Sequence, residues 1–527
     1  MSTTAVTSDP GHEAVASQQV PLRAAEKHSY SQILKSTSLI AGASVINIGI
    51  GIVRTKVMAL ILGPAGFGLM GLFGSILDLA VSIVGMGINS SGVRQIAESA
   101  GSGDTERIAR TAAILRRTSV VLGIIGAAVL VLFSRQISKF TFGTDQQAAA
   151  VALLSLAVFF RLVSAGQGAL IQGMRRISDL ARMGVLGALF GTLSSIFLVY
   201  FLREEGVVPS LVAIAAMSIG TSWWYSRKVK IQPPAMTTSQ MREEAAALLK
   251  LGFAFMASGV LMMGAAYAVR MMVVRMVGLD AAGYYQAAWT LGGLYVGFIL
   301  QAMGADFYPR LTAVAKDDAA CNRMVNEQAH VSMLLAGPGV LATLTFAPVV
   351  IALFYSAEFD QAANVLRWIC LGAALQVMTW PMGFIIIAKR AQKIFLLAEL
   401  AWTIVNIGLS WFCVSVFGLN GAGIAFFGSY VFHGIMIYPI VRGVSGFQWS
   451  IANRKTGLVF LSPIAIVFCG FYIAPFWLAT ATGILTIFLT TAYSLRALID
   501  LTSLDLIPSR LARLLVHLRF VHPTRSL

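Results

Sequence analysis

The chain has 527 residues, 57% of them hydrophobic and only 12% charged, with a mean hydropathy of +0.78. That balance excludes an ordinary soluble globular domain. The formal net charge of +16 raises nucleic acid as a partner, but its distribution along the chain fits a membrane topology instead, so no nucleic acid is expected. In chain order, residues 1–30 are polar and lack the apolar core of a signal peptide; they read as a disordered tail. Fourteen apolar runs follow, near 38–60, 66–92, 113–134, 149–173, 178–202, 206–225, 251–277, 282–306, 331–355, 362–388, 394–417, 419–441, 456–477 and 479–499. Each is close to the ~20 residues that carry a helix across a bilayer. The expected fold is an all-α polytopic membrane protein with about fourteen transmembrane helices.

With an even number of spans both termini lie on one side. That side then holds 30 of the 39 Lys and Arg residues, and 9 remain for the other side and the membrane interior. This asymmetry is the positive-inside rule, so both termini are expected in the cytoplasm. Cys321, Cys370, Cys413 and Cys469 have no paired spacing, which suggests neither a disulfide framework nor a metal site.

The second half echoes the first. GPAGFG at 63–68 resembles DAAGYY at 280–285, aligning Gly66 with Gly283 and Phe67 with Tyr284 at an offset of 217. Met86-Gly87 matches Met303-Gly304 at the same offset, Asp145-Gln146 matches Asp360-Gln361 at 215, and Arg175-Arg176 matches Lys389-Arg390 at 214. Six spans separate the copies, so they share one orientation, and parallel repeats in transporters place a substrate site between the halves. The expected organisation is the tail 1–30, a six-helix lobe 31–228, a linker 229–239, a second six-helix lobe 240–444, two additional helices in 445–500 and a basic tail 501–527.

Charges inside the membrane are costly and face a cavity or a partner. Arg54 and Arg270 align at an offset of 216, each about ten residues before an outer turn, or ~15 Å below it. Either could snorkel to the outer headgroups. Lys56 and Arg275 lie nearer the surface, where anchoring accounts for them. Arg161 lies about sixteen residues from the outer turn, ~24 Å along the axis, too deep to snorkel in either direction. It is expected to face a cavity, with a buried ion pair as the alternative. Asp78 is placed to pair with Arg54. Glu399 lies near Lys393 and Arg390 and suits an interfacial salt bridge, and His433 suits a helix–helix hydrogen bond or, less often, a proton relay. Asp78, Glu399 and His433 are the candidates for ion pairing or coupling. Pro338, Pro381 and Pro463 interrupt spans, which helices of transporters tolerate. The excess of Arg54, Arg161 and Arg270 over acidic groups points to an anionic substrate, and the guanidinium fork suits a phosphate or diphosphate. There is no G-x-x-x-x-G-K-[ST], H-E-x-x-H or G-x-S-x-G motif, so no enzyme and no cofactor are expected.

Three segments carry a family resemblance: VRTKVMALILGPAGFGLMGLFGSILDL at 53–79, MGADFYPRLTAVAKD at 303–317 and LAELAWTIVNIGLSW at 397–411. Through them the chain, over roughly 31–450, resembles polysaccharide-repeat-unit flippases of the Wzx type, in the multidrug/oligosaccharidyl-lipid/polysaccharide exporter superfamily. The resemblance implies twelve core helices in two lobes around a cationic cavity. It implies a polyprenyl-diphosphate-linked oligosaccharide as cargo, moved from the cytoplasmic to the periplasmic leaflet of the bacterial inner membrane by alternating access. Membrane lipids, and with them a polysaccharide polymerase and a chain-length regulator, are expected as further partners. Lipid II flippases and cation-coupled multidrug exporters resemble the chain as well, but cationic drugs favour acidic cavities.

Overall fold

In lipid a backbone must satisfy its own hydrogen bonds, so apolar runs of this length fold as helices. The computed structural model describes residues 11–229, 236–302 and 307–501, and among them there is no β-strand. The helices are α1 (Gly11–Val84), α2 (Ile88–Gly101), α3 (Thr105–Leu132), α4 (Ser134–Phe142), α5 (Ala148–Gly173), α6 (Ile177–Leu202), α7 (Val207–Ser226), α8 (Thr238–Met276) and α9 (Leu279–Ala302). They continue with α10 (Tyr308–Ala313), α11 (Asp318–Thr345), α12 (Ala347–Phe354), α13 (Ala362–Ala388), α14 (Gln392–Phe417), α15 (Leu419–Ser445), α16 (Ile451–Ile473) and α17 (Phe476–Leu501). Helix α1 starts at Gly11 and so runs through most of the segment expected as an unstructured tail. Residues 1–10, Met303-Gly304 of the repeat, much of the expected linker and all but the first residue of the expected basic tail lie outside the described residues.

Among the described residues ten helical stretches are long and apolar enough to cross a membrane, or eleven if the pair α11 and α12, bent by 84°, counts as one span, against the fourteen expected. Two of the ten, Gly42–Val84 and Ile177–Ser226, hold 43 and 50 residues. Each would extend over ~65 Å or more at 1.5 Å per residue, about twice a hydrocarbon core of ~30 Å. Both are interrupted. Gly63 breaks α1 with φ 63° and ψ −173°, and a turn beginning at Arg203 separates α6 from α7. Side-chain caps terminate helices where polar loops meet them. Asp104 Oδ1 accepts from Arg107 N–H at the start of α3, Asp317 Oδ1 from Ala320 N–H at the start of α11, and Thr237 forms a capping box with Gln240 at the start of α8.

The repeat is visible in the backbone. Arg175 and Arg390, 215 residues apart, are both left-handed (φ 53° and 58°) and end the turns between α5 and α6 and between α13 and α14. Arg175 thus corresponds to Arg390, one residue away from the alignment of the two basic pairs. Arg203 (φ 53°) and Gly418 (φ 57°) are related by the same 215 residues, between α6 and α7 and between α14 and α15. Packing repeats too: α5 lies against α3 and α7, and α13 against α11 and α15. Helices α16 and α17 pack on α11.

The lobes meet along α1, α8 and α9. At one end the two repeated turns touch backbone to backbone. A Cβ on Gly283 would lie 1.9 Å from Pro64 O, and one on Gly68 would lie 2.5 Å from Leu279 O. Beside this seam Phe67 packs edge-on against Tyr355 and Phe359, centroids 5.4 and 5.8 Å away, and Tyr284 packs on Phe359 at 6.1 Å. Lys56 and Arg275, expected as anchors, bridge the lobes here. Lys56 Nζ donates to Ala352 O at 3.0 Å, and Arg275 Nη1 donates to Lys139 O and Phe140 O at 3.0 Å.

Candidate functional site

Helices α1 and α8 each bring one arginine to the space between the lobes. Arg54 of α1 and Arg270 of α8 border a cavity of about 650 Å³, walled by α1, α5 and α7 on one side and α8, α9, α14 and α15 on the other. Arg161 of α5 and Asp78 of α1 border the same cavity. The three arginines singled out in the sequence converge there from both lobes.

Asp78 does not pair with Arg54. Its Oδ1 accepts from Arg161 Nη1 at 2.5 Å. Asp78 follows the break at Gly63 and Arg54 precedes it, so the two belong to different arms of α1, and the nearer arginine comes from α5. The two side chains are 41% and 44% exposed, so the pair faces the cavity while being formed. At that exposure an ion pair contributes about 0–1 kcal/mol, little enough for a competing anion to exchange with the carboxylate.

Arg270 is held in place. Its Nε donates to Gln286 Oε1 at 2.8 Å and its Nη1 to Ala266 O at 3.0 Å, and the guanidinium lies 6.0 Å from the Tyr285 ring centroid and 5.8 Å from that of Trp289. A guanidinium has five N–H donors, so the remaining ones are left for the cavity. Gly71 of α1 makes room for this arrangement, because a Cβ there would lie 2.7 Å from Gln286 Oε1. Arg54 has no hydrogen bond or ion pair to any described residue and borders the same space. Two arginines with open donors and one in an exchangeable pair give the cavity a cationic lining whose donor geometry suits a compact anion.

Glu399 and His433 border a second cavity of about 500 Å³ within the C-terminal lobe, which shares Met262, Trp289, Trp402 and Phe426 with the first. Glu399 makes no salt bridge with Lys393 or Arg390; it borders the second cavity from within α14, while Lys393 lies at the start of that helix and Arg390 in the turn before it. His433 Nδ1 lies 3.1 Å from Thr379 Oγ1, a contact between α15 and α13, and its ring packs on Tyr430 at 5.9 Å.

The chain matches, over residues 57–364, the family described as polysaccharide biosynthesis protein. It belongs to that family. A relative of this polysaccharide biosynthesis protein is the lipid III flippase of Escherichia coli (strain K12), 23% identical over 406 residues, covering 76% of this chain and 95% of the relative. Another is a Shigella flexneri protein named "Putative O-antigen transporter", 24% identical over 379 residues, with 69% and 87% covered. The fold is that of the lipid II flippase MurJ in an inward closed conformation (TM-score 0.65, 14% identity, 88% of this chain and 99% of that one). It is also that of an inward-facing MATE-family transporter of the MOP superfamily (TM-score 0.64, 15% identity, 75% and 95%).

Sequence reasoning passed over Gln286, Trp289 and Trp402. Gln286 directly follows the repeated turn at 280–285, which was a usable signal, whereas aromatic residues in an apolar run look the same whether they face lipid or a cavity. It also passed over Arg367 of α13. That side chain is 7% exposed, donates to Asn364 Oδ1 at 3.0 Å and lies 3.9 Å over the Phe471 ring, joining α13 to α16 away from both cavities.

Proposed function

We propose that this polysaccharide biosynthesis protein is a flippase. It carries polyprenyl-diphosphate-linked oligosaccharide repeat units from the cytoplasmic to the periplasmic leaflet by alternating access, for O-antigen or exopolysaccharide assembly. The observation that carries the reading is the convergence of Arg54, Arg161 and Arg270 on one cavity between two lobes that meet at a seam. A diphosphate matches that charge and the fork geometry. The names of the Escherichia coli and Shigella relatives support a lipid-linked glycan as the cargo class.

Each step follows from the groups present. The diphosphate enters beside Arg54 and Arg270, whose donors are open, and takes the Arg161 donors that Asp78 leaves unused. Three cations then hold the anion while the seam opens and the cavity exchanges sides. A potential negative inside favours the outward step by ~2.3 kcal/mol per uncompensated charge per 100 mV. Arginines moving with the cargo cancel part of this and help the empty carrier return. The distribution of basic loops supports a bacterial inner-membrane protein with both termini in the cytoplasm. A polymerase and a chain-length regulator would take the product on the far side.

A second reading, lipid II as cargo, is favoured by the extent of the likeness to MurJ, 88% of this chain. A drug exporter is disfavoured, because the acidic group in the cationic cavity, Asp78, is already neutralised by Arg161. The deciding experiment is deletion in the native strain with fractionation of lipid-linked intermediates. The reading expects oligosaccharide on its lipid carrier to accumulate on the cytoplasmic leaflet with synthesis intact and peptidoglycan unaffected. Normal periplasmic delivery in a strain with no second flippase would sink it, and accumulation of lipid II would transfer the assignment to the second reading.

A further inference from the structure

The second cavity has no part in holding a diphosphate, and its walls differ in kind from those of the first. Around its 500 Å³ stand Trp289, Trp380, Trp402, Phe384, Phe426 and Tyr430. Five glycines, at 259, 292, 293, 297 and 383, keep the helix surfaces between those rings low. Polar groups reach the same space from four helices: Ser258 from α8, Gln376 from α13, Glu399 from α14 and His433 from α15. Glu399 has no hydrogen bond or ion pair to any described residue, so its carboxylate is left to accept from whatever fills the cavity. The volume lies within the ~300–1,000 Å³ of small-molecule sites, which combine apolar and aromatic walls with a few placed polar groups.

We propose that this aromatic compartment is a saccharide subsite, holding the first sugar residues of the cargo while the arginine cavity holds its diphosphate. The proposal rests on the flippase reading above. A sugar ring has flat faces of polarised C–H groups, which suit the electron-rich face of an indole, and an equatorial rim of hydroxyl donors. A carboxyl group presents two oxygens side by side, so Glu399 matches a pair of neighbouring hydroxyls. A prenyl chain would leave Glu399 without a partner in a low-dielectric space, which costs a few kcal/mol, whereas His433 already meets Thr379. The arginines border only the first compartment, so the diphosphate goes there and the cargo enters in one orientation. The shared wall of Met262, Trp289, Trp402 and Phe426 lets a single molecule occupy both.

The test uses the full chain in detergent and two probes, farnesyl diphosphate and the same lipid carrying one hexose, with affinities measured by calorimetry. The parent should bind the glycosylated lipid about tenfold more tightly, and Trp380→Leu and Glu399→Gln should each erase most of that ratio. Equal affinity of the parent for both lipids overturns the proposal. So does a loss that is the same for both lipids in these variants, which would assign the compartment to the prenyl chain. An unchanged ratio in Glu399→Gln, which keeps the shape of the side chain, overturns it even if Trp380→Leu fails to fold. Arg270→Gln reports separately on the flippase reading. If it leaves farnesyl diphosphate binding intact, the diphosphate is not held where proposed, while the sugar-dependent ratio still decides the subsite.

Discussion

Arg161 and Asp78 allow a prediction whose sign separates a binding residue from a structural one. In Arg161→Gln the cavity loses a cation, and Asp78 becomes an unpaired carboxylate beside the diphosphate site. Losing one charge-assisted hydrogen bond to the anion removes about 1.5–3 kcal/mol. The freed carboxylate adds repulsion of ~2 kcal/mol, taking ~8 Å to the phosphate and an effective dielectric of ~20. Together these weaken binding by roughly three orders of magnitude at 1.4 kcal/mol per tenfold. Fold stability should barely move, because the pair is half-exposed and contributes about 0–1 kcal/mol. Adding Asp78→Asn should therefore recover about 2 kcal/mol, or roughly thirtyfold, of the affinity lost. The assay is farnesyl diphosphate binding by calorimetry for the parent, both single variants and the double variant, with thermal midpoints measured in parallel. A double variant that binds no better than Arg161→Gln, or an Arg161→Gln that binds like the parent, refutes the reasoning.

Other consequences are equally direct. Arg270→Lys should keep part of the transport and Arg270→Gln almost none at matched protein levels, because Lys retains the charge but neither the fork nor the bond to Gln286; equal transport by both would argue against anion gripping. Gly71→Val should push Gln286 off Arg270 and weaken diphosphate binding several-fold with little change in thermal midpoint, and unchanged affinity would remove Gln286 from the positioning of Arg270. Gly283→Val should prise the seam apart, since the nearest atom is backbone rather than a movable side chain. A membrane-impermeant maleimide added outside cells should then label Met262→Cys faster than in the unsubstituted seam, and equal labelling would mean that the seam does not control access. Reporter fusions after Arg175, Lys228, Lys389 and Lys455 should all report cytoplasm, and one periplasmic signal breaks the orientation inferred from the basic loops.

Much of this was legible in the sequence because lipid leaves a chain few choices. The apolar runs become helices by backbone necessity, and Gly63 marks a break because only glycine takes φ 63° with ψ −173° at little cost. Arg54, Arg161 and Arg270 were legible because a charge at depth needs an aqueous or polar neighbour. What the sequence withheld is direction. The stretch of α1 after Gly63 is apolar around its circumference, so nothing in its pattern says whether Asp78 faces the other arm of α1 or α5, and the pairing with Arg161 emerges only from packing. The same lack of a polar face hid Trp289 and Trp402 among lipid-facing aromatics. The one-residue drift of the basic pairs has a local cause: each turn needs one left-handed residue, and the matched position is fixed by the helix end rather than by which neighbours are basic.

The seam between the lobes consists of two materials with different responses to strain. Along Pro64, Gly68, Leu279 and Gly283 the contact is peptide against peptide, so separation wets polar groups that water accepts readily. Around Phe67, Tyr355 and Phe359 the contact is ring against ring, with all three side chains at most 2% exposed, and separation wets apolar area at ~25 cal/mol per Å². The rings therefore act as a latch and the peptide seam as a parting line that opens with little resistance once the latch yields. Trimming a ring would change how often the carrier turns outward, while leaving the affinity of the arginine cavity as it is.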